Sequence, residues 1–321
     1  MEHESRKLIK FGNSSYIVSL PQKWIKKNNL KKGDLIYIDE GGENDLTLSP
    51  SDKKIEKNEN KKITIGVDGK DMDSINRELV SAYVNNFSEI IFSGKEIDQK
   101  KDSISKIIDL VGIEVIEQTK SSIIVKDLLD FEVISVKNIA RRMDNIMRSM
   151  FEDLKNGIEE NAFKGWLHRE IYKVDANINK LNFLVWKIVR KGYENPGILK
   201  NLKMNQLQLS NLQWISLYIE YLGDEVKRIS KILKDTKINE EEKEILGEII
   251  GDVESVYVNT MTLYYKEQKE GLYPLMKQKK IIIEKCEKLS QKTNNPKISS
   301  VCERAKIMTS AVHNILKILS Y

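Results

Sequence analysis

Cysteine is nearly absent. The 321 residues hold two, Cys286 and Cys302, too few for a disulfide-stapled scaffold. Both sit beside apolar neighbours in helical patterns and read as reduced thiols packed in a core. Histidine is as scarce: His3, His168 and His313 are the full set. None follows a glutamate at the Glu-x-x-His spacing that di-metal bundle enzymes need on two helices. Glycine-rich nucleotide loops are missing, since neither Gly-x-x-x-x-Gly-Lys-Ser/Thr nor Gly-x-Gly-x-x-Gly occurs. No catalytic constellation emerges, and the expectation is a non-enzyme. No apolar run exceeds four residues, which leaves no candidate for a membrane-spanning helix. The polar start, Met1 to Ser5, lacks the apolar core of a signal peptide. A cytoplasmic location follows as an expectation.

Charge is plentiful and unevenly placed. Charged residues make up 31% and apolar ones 40%, with a net charge of only +5. From Ser5 to Lys32 there are eight basic residues and no acidic one; from Gly33 to Asp52 there are six acidic residues and no basic one. So sharp a segregation predicts a small module with one positive face.

Three regions separate by pattern, with boundaries at 1–54, 55–131 and 132–321. The first carries short β-like runs (Lys7–Phe11, Tyr16–Leu20, Leu35–Ile38, Asp45–Leu48) broken by Gly12-Asn13-Ser14-Ser15, Gly33-Asp34 and Gly41-Gly42. One short helix fits between them, with Pro21 at its first position and Trp24-Ile25 on its apolar side. So small a module buries little surface alone, and dimerisation is the usual remedy. Residues Ser51 to Lys62 have the polar, charged composition of an exposed linker. The second region alternates strand and helix signals from Ile63 to Val125, closing on a hairpin around Lys120-Ser121, and predicts a small α/β sandwich.

The third region is helical throughout, giving a mostly α multidomain chain. Its apolar residues step by three and four along five seams: Val136 to Leu154, Leu167 to Ile188, Leu212 to Leu233, Leu246 to Leu263 and Ile298 to Leu319. Breaks at Asn195-Pro196-Gly197, Gly271–Pro274 and Asn294-Asn295-Pro296 hold every proline of this region. Six helices in two sets of three is the simplest count.

The first region resembles the SpoVT/AbrB swapped-hairpin domains. The likeness rests on Lys10-Phe11-Gly12-Asn13-Ser14-Ser15, then Ile17–Trp24 with its Leu20-Pro21, then Asn29-Leu30-Lys31-Lys32-Gly33-Asp34. It implies an intertwined homodimer whose chains share one β-barrel and present a basic surface to DNA. The domain order of the whole chain is similar to that of archaeal members of the PhoU family of phosphate-uptake regulators. Arg77–Tyr83 and Leu128–Ser135 are similar to that family's middle region. The resemblance implies a PhoU-like bundle and a Glu/Asp-x-x-x-Asp motif that binds a divalent metal or iron. Glu220-Tyr221-Leu222-Gly223-Asp224 matches that motif. The earlier helix offers Asp175, but Asn179 stands where the family prefers aspartate.

Candidate DNA contacts are therefore Arg6, Lys7, Lys10, Asn13, Ser14, Ser15, Lys23, Lys26 and Lys27. The basic groups would neutralise phosphates, and the short polar side chains would reach phosphates or base edges. Candidate metal ligands are Glu220, Asp224 and Asp175, expected as surface groups turned away from their seams, with Arg228 as an ion-pair partner of Asp224. Glu248 and Asp252 repeat the spacing more weakly. Trp166, Trp186, Trp214, Tyr218 and Tyr221 suggest packing against a neighbouring helix or a docking patch. Two readings compete. One is a transcription regulator of phosphate uptake. The other is a signalling adaptor whose bundle docks on a phosphate transporter's ATPase or a signalling protein, with the N-terminal domain serving to dimerise.

Overall fold

A computed structural model describes residues 5–40, 46–50, 61–129, 134–195 and 197–321. Its contacts divide the chain into two units, Met1–Glu59 and Asn60–Tyr321. The Gly41-Gly42 turn, nearly all of the Ser51–Lys62 linker, His3, Pro196 and residues 130–133 lie outside the described residues.

In the first unit, β1 (Ile9–Phe11) pairs antiparallel with β2 (Ser15–Ile17). Gly12 begins the turn between them at φ +68°, a left-handed conformation that glycine adopts without a Cβ clash. Helix α1 (Gln22–Lys27) follows; β3 (Tyr37–Glu40) then pairs antiparallel with β4 (Leu46–Ser49). Pro21 lies one residue earlier than expected, as the extended N-cap. The barrel expected here is not closed by one chain: β1-β2 and β3-β4 form two separate two-stranded sheets. Strands of three or four residues in isolated pairs are marginally stable at best.

The second unit begins with a four-stranded sheet in the order β5-β6-β8-β7. Strand β5 (Lys62–Gly66) runs parallel to β6 (Glu89–Ser93), which pairs antiparallel with β8 (Ser122–Lys126), and β8 pairs antiparallel with β7 (Glu114–Gln118). Period-two alternation buries Ile90, Phe92, Ile123 and Val125 on one face. Helices α2 (Met72–Val84) and α3 (Ile97–Val111) supply Ile75, Leu79, Ile104 and Ile108 to that core.

Six long helices and one short one follow: α4 (Val136–Glu160), α5 (Leu167–Glu194), α6 (Gly197–Leu202), α7 (Gln206–Lys234), α8 (Glu240–Lys266), α9 (Leu272–Lys292) and α10 (Pro296–Ser320). Asparagine starts three of them. Asn205 and Asn239 form capping boxes with Gln208 and Glu242, and Asn295 accepts from the Lys297 amide ahead of α10. Helices α4, α5 and α7 touch one another, as do α8, α9 and α10; the trios meet along α4–α8 and α7–α10. One continuous apolar core runs through both. The sheet layer is fixed to the bundle through α5, which touches α2 and α3. There the Lys187 ammonium, 1% exposed, donates to the Tyr83 carbonyl at 3.0 Å and meets the Asp127 carboxylate at 2.9 Å.

Candidate nucleic-acid interface and the acidic face of the bundle

The predicted DNA contacts all belong to the first unit and all are exposed. Arg6 and Lys7 lead into β1, and Lys10 lies within it, opposite Tyr16. Asn13 and Ser14 form the tip of the β1-β2 turn, and Ser15 opens β2. Six of the nine candidates therefore sit on or beside one hairpin. Lys23, Lys26 and Lys27 share one face of α1 by their three- and four-residue spacing. Lys26 and Lys27 also occupy its last turn, where cations are favoured. After α1 the chain is tied back: the Leu30 amide donates to the Ile25 carbonyl at 3.1 Å, and the Lys31 amide donates to Asp34 at 2.6 Å.

This charge lies among uncovered apolar groups. Leu8, Phe11, Tyr16, Leu35 and Ile38 are each more than 60% exposed. No described apolar side chain of this unit is buried. Exposed apolar groups gathered in one small module are characteristic of interaction surfaces.

The acidic candidates come together on the second unit, where Glu220 and Asp224 are half-buried and Asp175, expected at the surface, is buried. Asp175 is 2% exposed, because α5 is covered by several neighbours and not by a single seam partner. Gly223 admits it: a Cβ there would lie 3.2 Å from Asp175 Oδ1. The cation between the carboxylates is Lys227. Its Nζ donates to Asp175 Oδ2 at 2.6 Å and to Asp224 Oδ1 at 2.7 Å. Arg228 pairs with Asp224 at 3.0 Å, as expected, and also with Glu225. Glu225 is wholly buried and receives Arg304 from α10 at 3.5 Å. Asn179 donates to Asp175 Oδ2 at 3.4 Å, whereas Asp175 Oδ1 is buried without a hydrogen-bond partner.

Burial raises the Asp175 carboxyl above its usual range although Lys227 opposes it. At Lys227 burial works against the charge, but the hydrogen bonds to Asp175 and Asp224 win and hold it protonated. Glu220 is half-buried. Burial, then the neighbouring Asp224 and Asp175 charges, push it up to about 7. Among the described residues no group of three or more His, Cys, Asp or Glu side chains is arranged to hold a metal ion. The expected ligands Glu220, Asp224 and Asp175 thus share a region whose centre is an ammonium, and the arrangement does not fit a metal centre.

Two residues escaped the sequence reading. Lys227 lies three residues after Asp224, a spacing that signals their pairing, but its bond to Asp175 on another helix carries no local signal. Lys187 does: it is the one charged residue between Phe183 and Val189. Of the aromatic candidates, Tyr218 packs against the core and Trp186 is half-buried, whereas Trp166, Trp214 and Tyr221 are 70%, 47% and 42% exposed. Both cysteines are fully buried, as expected.

Residues 9–56 match the family model described as "Antidote-toxin recognition MazE, bacterial antitoxin". The match supports an N-terminal domain of the MazE/AbrB-like kind and spans β1 to β4. No curated protein and no solved structure matches the chain. No helix among the described residues is long and apolar enough to cross a membrane.

Proposed function

We propose that the chain is a DNA-binding transcription regulator that acts as a homodimer through its N-terminal domain. The observation that carries this reading is the coincidence, in one MazE/AbrB-like module, of an exposed basic hairpin and an uncovered apolar surface. A second copy covers the apolar groups and doubles the basic set. Lysine and arginine then neutralise backbone phosphates, and Asn13, Ser14 and Ser15 at the hairpin tip supply short hydrogen-bonding groups. The finer reading, control of phosphate uptake by a PhoU-like bundle that senses phosphate status, is supported by the similarity in domain order.

A gel shift of full-length protein against DNA from upstream of its own coding sequence tests the proposal. Retarded DNA that survives competitor DNA at moderate salt is the expected result; no specific retardation contradicts it. A second reading has its own support in Leu207, Trp214 and Tyr221, exposed at seven-residue spacing along α7. Such a stripe suits an adaptor that docks a transporter ATPase or signalling protein while the N-terminal domain only dimerises. Capture of transporter components without specific DNA binding selects that alternative.

A further inference from the structure

Glu220-Tyr221-Leu222-Gly223-Asp224 on α7 and Glu248-Ile249-Ile250-Gly251-Asp252 on α8 share the pattern Glu-x-x-Gly-Asp. Carboxylates four residues apart on a helix repel each other and attract a cation. In both motifs that cation is a lysine. Lys227 meets Asp224 at 2.7 Å and draws in Asp175 of α5 at 2.6 Å. Lys285 of α9 meets Asp252 at 2.7 Å and Glu248 at 3.4 Å.

We propose that lysine ammonium groups, and not metal ions, are the resident cations of both acidic motifs, with Lys227 standing where a metal ion would bridge α5 and α7. The chemistry is competitive. A hard divalent ion binds carboxylate oxygen at about 2.0–2.6 Å; Lys227 Nζ, hydrogen-bonded at 2.6 Å to Asp175 Oδ2 and 2.7 Å to Asp224 Oδ1, fills the space between the same oxygens. Ion and ammonium cannot both use those oxygens, and their charges repel. The α5–α7 site also keeps acceptor capacity beyond what one ammonium fills. Asp175 Oδ1 is buried with no hydrogen-bond partner, and Glu220 lies close enough to Asp175 and Asp224 for their charges to raise its pKa. Removing Lys227 therefore leaves Asp175 without a cation and Asp224 with Arg228 alone, a carboxylate set from two helices of the kind a hard cation takes.

Manganese(II) titrated into untagged full-length protein, followed by the electron paramagnetic resonance of the free ion, tests this. The wild type is expected to take up no stoichiometric manganese at either motif. Lys227→Ala is expected to bind about one ion per chain, at least about tenfold more tightly than the wild type, and to lose it when Asp175→Asn is added. Lys285→Ala removes a partly exposed side chain, so it keeps the fold and gives the same test on α8. Uptake by either lysine variant with none by the wild type supports the proposal. Stoichiometric uptake by the wild type that Asp175→Asn or Asp252→Asn abolishes overturns it. So does a failure of both lysine variants to bind the ion.

Discussion

Phe92, Phe151 and Phe163 of the second unit are fully buried, whereas Phe11 of the first unit is 65% exposed. The same residue type has opposite fates because the units differ in what surrounds it. The second unit has long helices and a four-stranded sheet, and each apolar seam finds a partner within the chain. The first has four strands of three or four residues and one six-residue helix, which leaves its apolar groups facing outward. Burying a phenylalanine removes enough apolar surface to contribute about 2–3 kcal/mol. The second unit gains this within one chain, and the described residues of the first do not.

Phe151→Ala empties a fully buried site in the bundle and should cost about 3–5 kcal/mol, read as a lower denaturation midpoint. Asp127→Asn leaves the Lys187 ammonium buried without its counter-charge and should cost about 3 kcal/mol. Burial already lowers the Lys187 pKa, with Asp127 opposing. The Asp127→Asn loss should therefore shrink at alkaline pH as the lysine neutralises, and a pH-independent loss would contradict the buried-charge account.

Glu220→Gln should act in the opposite direction. The folded-state pKa of Glu220 is raised to about 7 by burial, so its favourable contribution is present below the ordinary carboxylate range and is lost as pH rises through 7. At pH 8 the glutamine variant should be more stable than the wild type, by about 1 kcal/mol after allowing for partial exposure. Near pH 4 the difference should vanish. An equal gain at both pH values would rule out titration as the cause. Phe11→Ser should leave the unfolding of the second unit within about 0.5 kcal/mol of wild type, while sedimentation shows the dimer shifting toward monomer.

The bundle was the most legible part of the sequence. Residues of the five expected seams are buried apart from Val174, Leu263 and Leu319, which are partly so, because regular three–four steps report a helix face directly. Short α6 was not legible: its six residues carry less than two turns of pattern. The sheet was half legible. Apolar runs marked all four strands, β5 to β8, but they do not say that β8 inserts between β6 and β7. In the first unit, Gly12 and Leu20-Pro21 marked the turn and the helix start. Whether Leu8 or Leu35 is covered depends on surfaces outside the chain, and a pattern within the chain carries no such information. The acidic face showed the sharpest limit. Helical spacing placed Asp175 away from its own seam, yet it is buried, because a helix packed on several sides has no single buried face. Its cation, Lys227, arrives from a helix more than fifty residues away in sequence.

On the proposed function, the exposed basic hairpin of the first unit contacts DNA phosphates. Fluorescence anisotropy of a labelled duplex, titrated with full-length protein across a salt series, compares the wild type with Arg6→Ala/Lys7→Ala/Lys10→Ala. Each phosphate contact removed should flatten the dependence of log affinity on log salt by about 0.9, with weaker binding at every salt concentration and an unchanged bundle. An identical slope and affinity in the two proteins would contradict the claim.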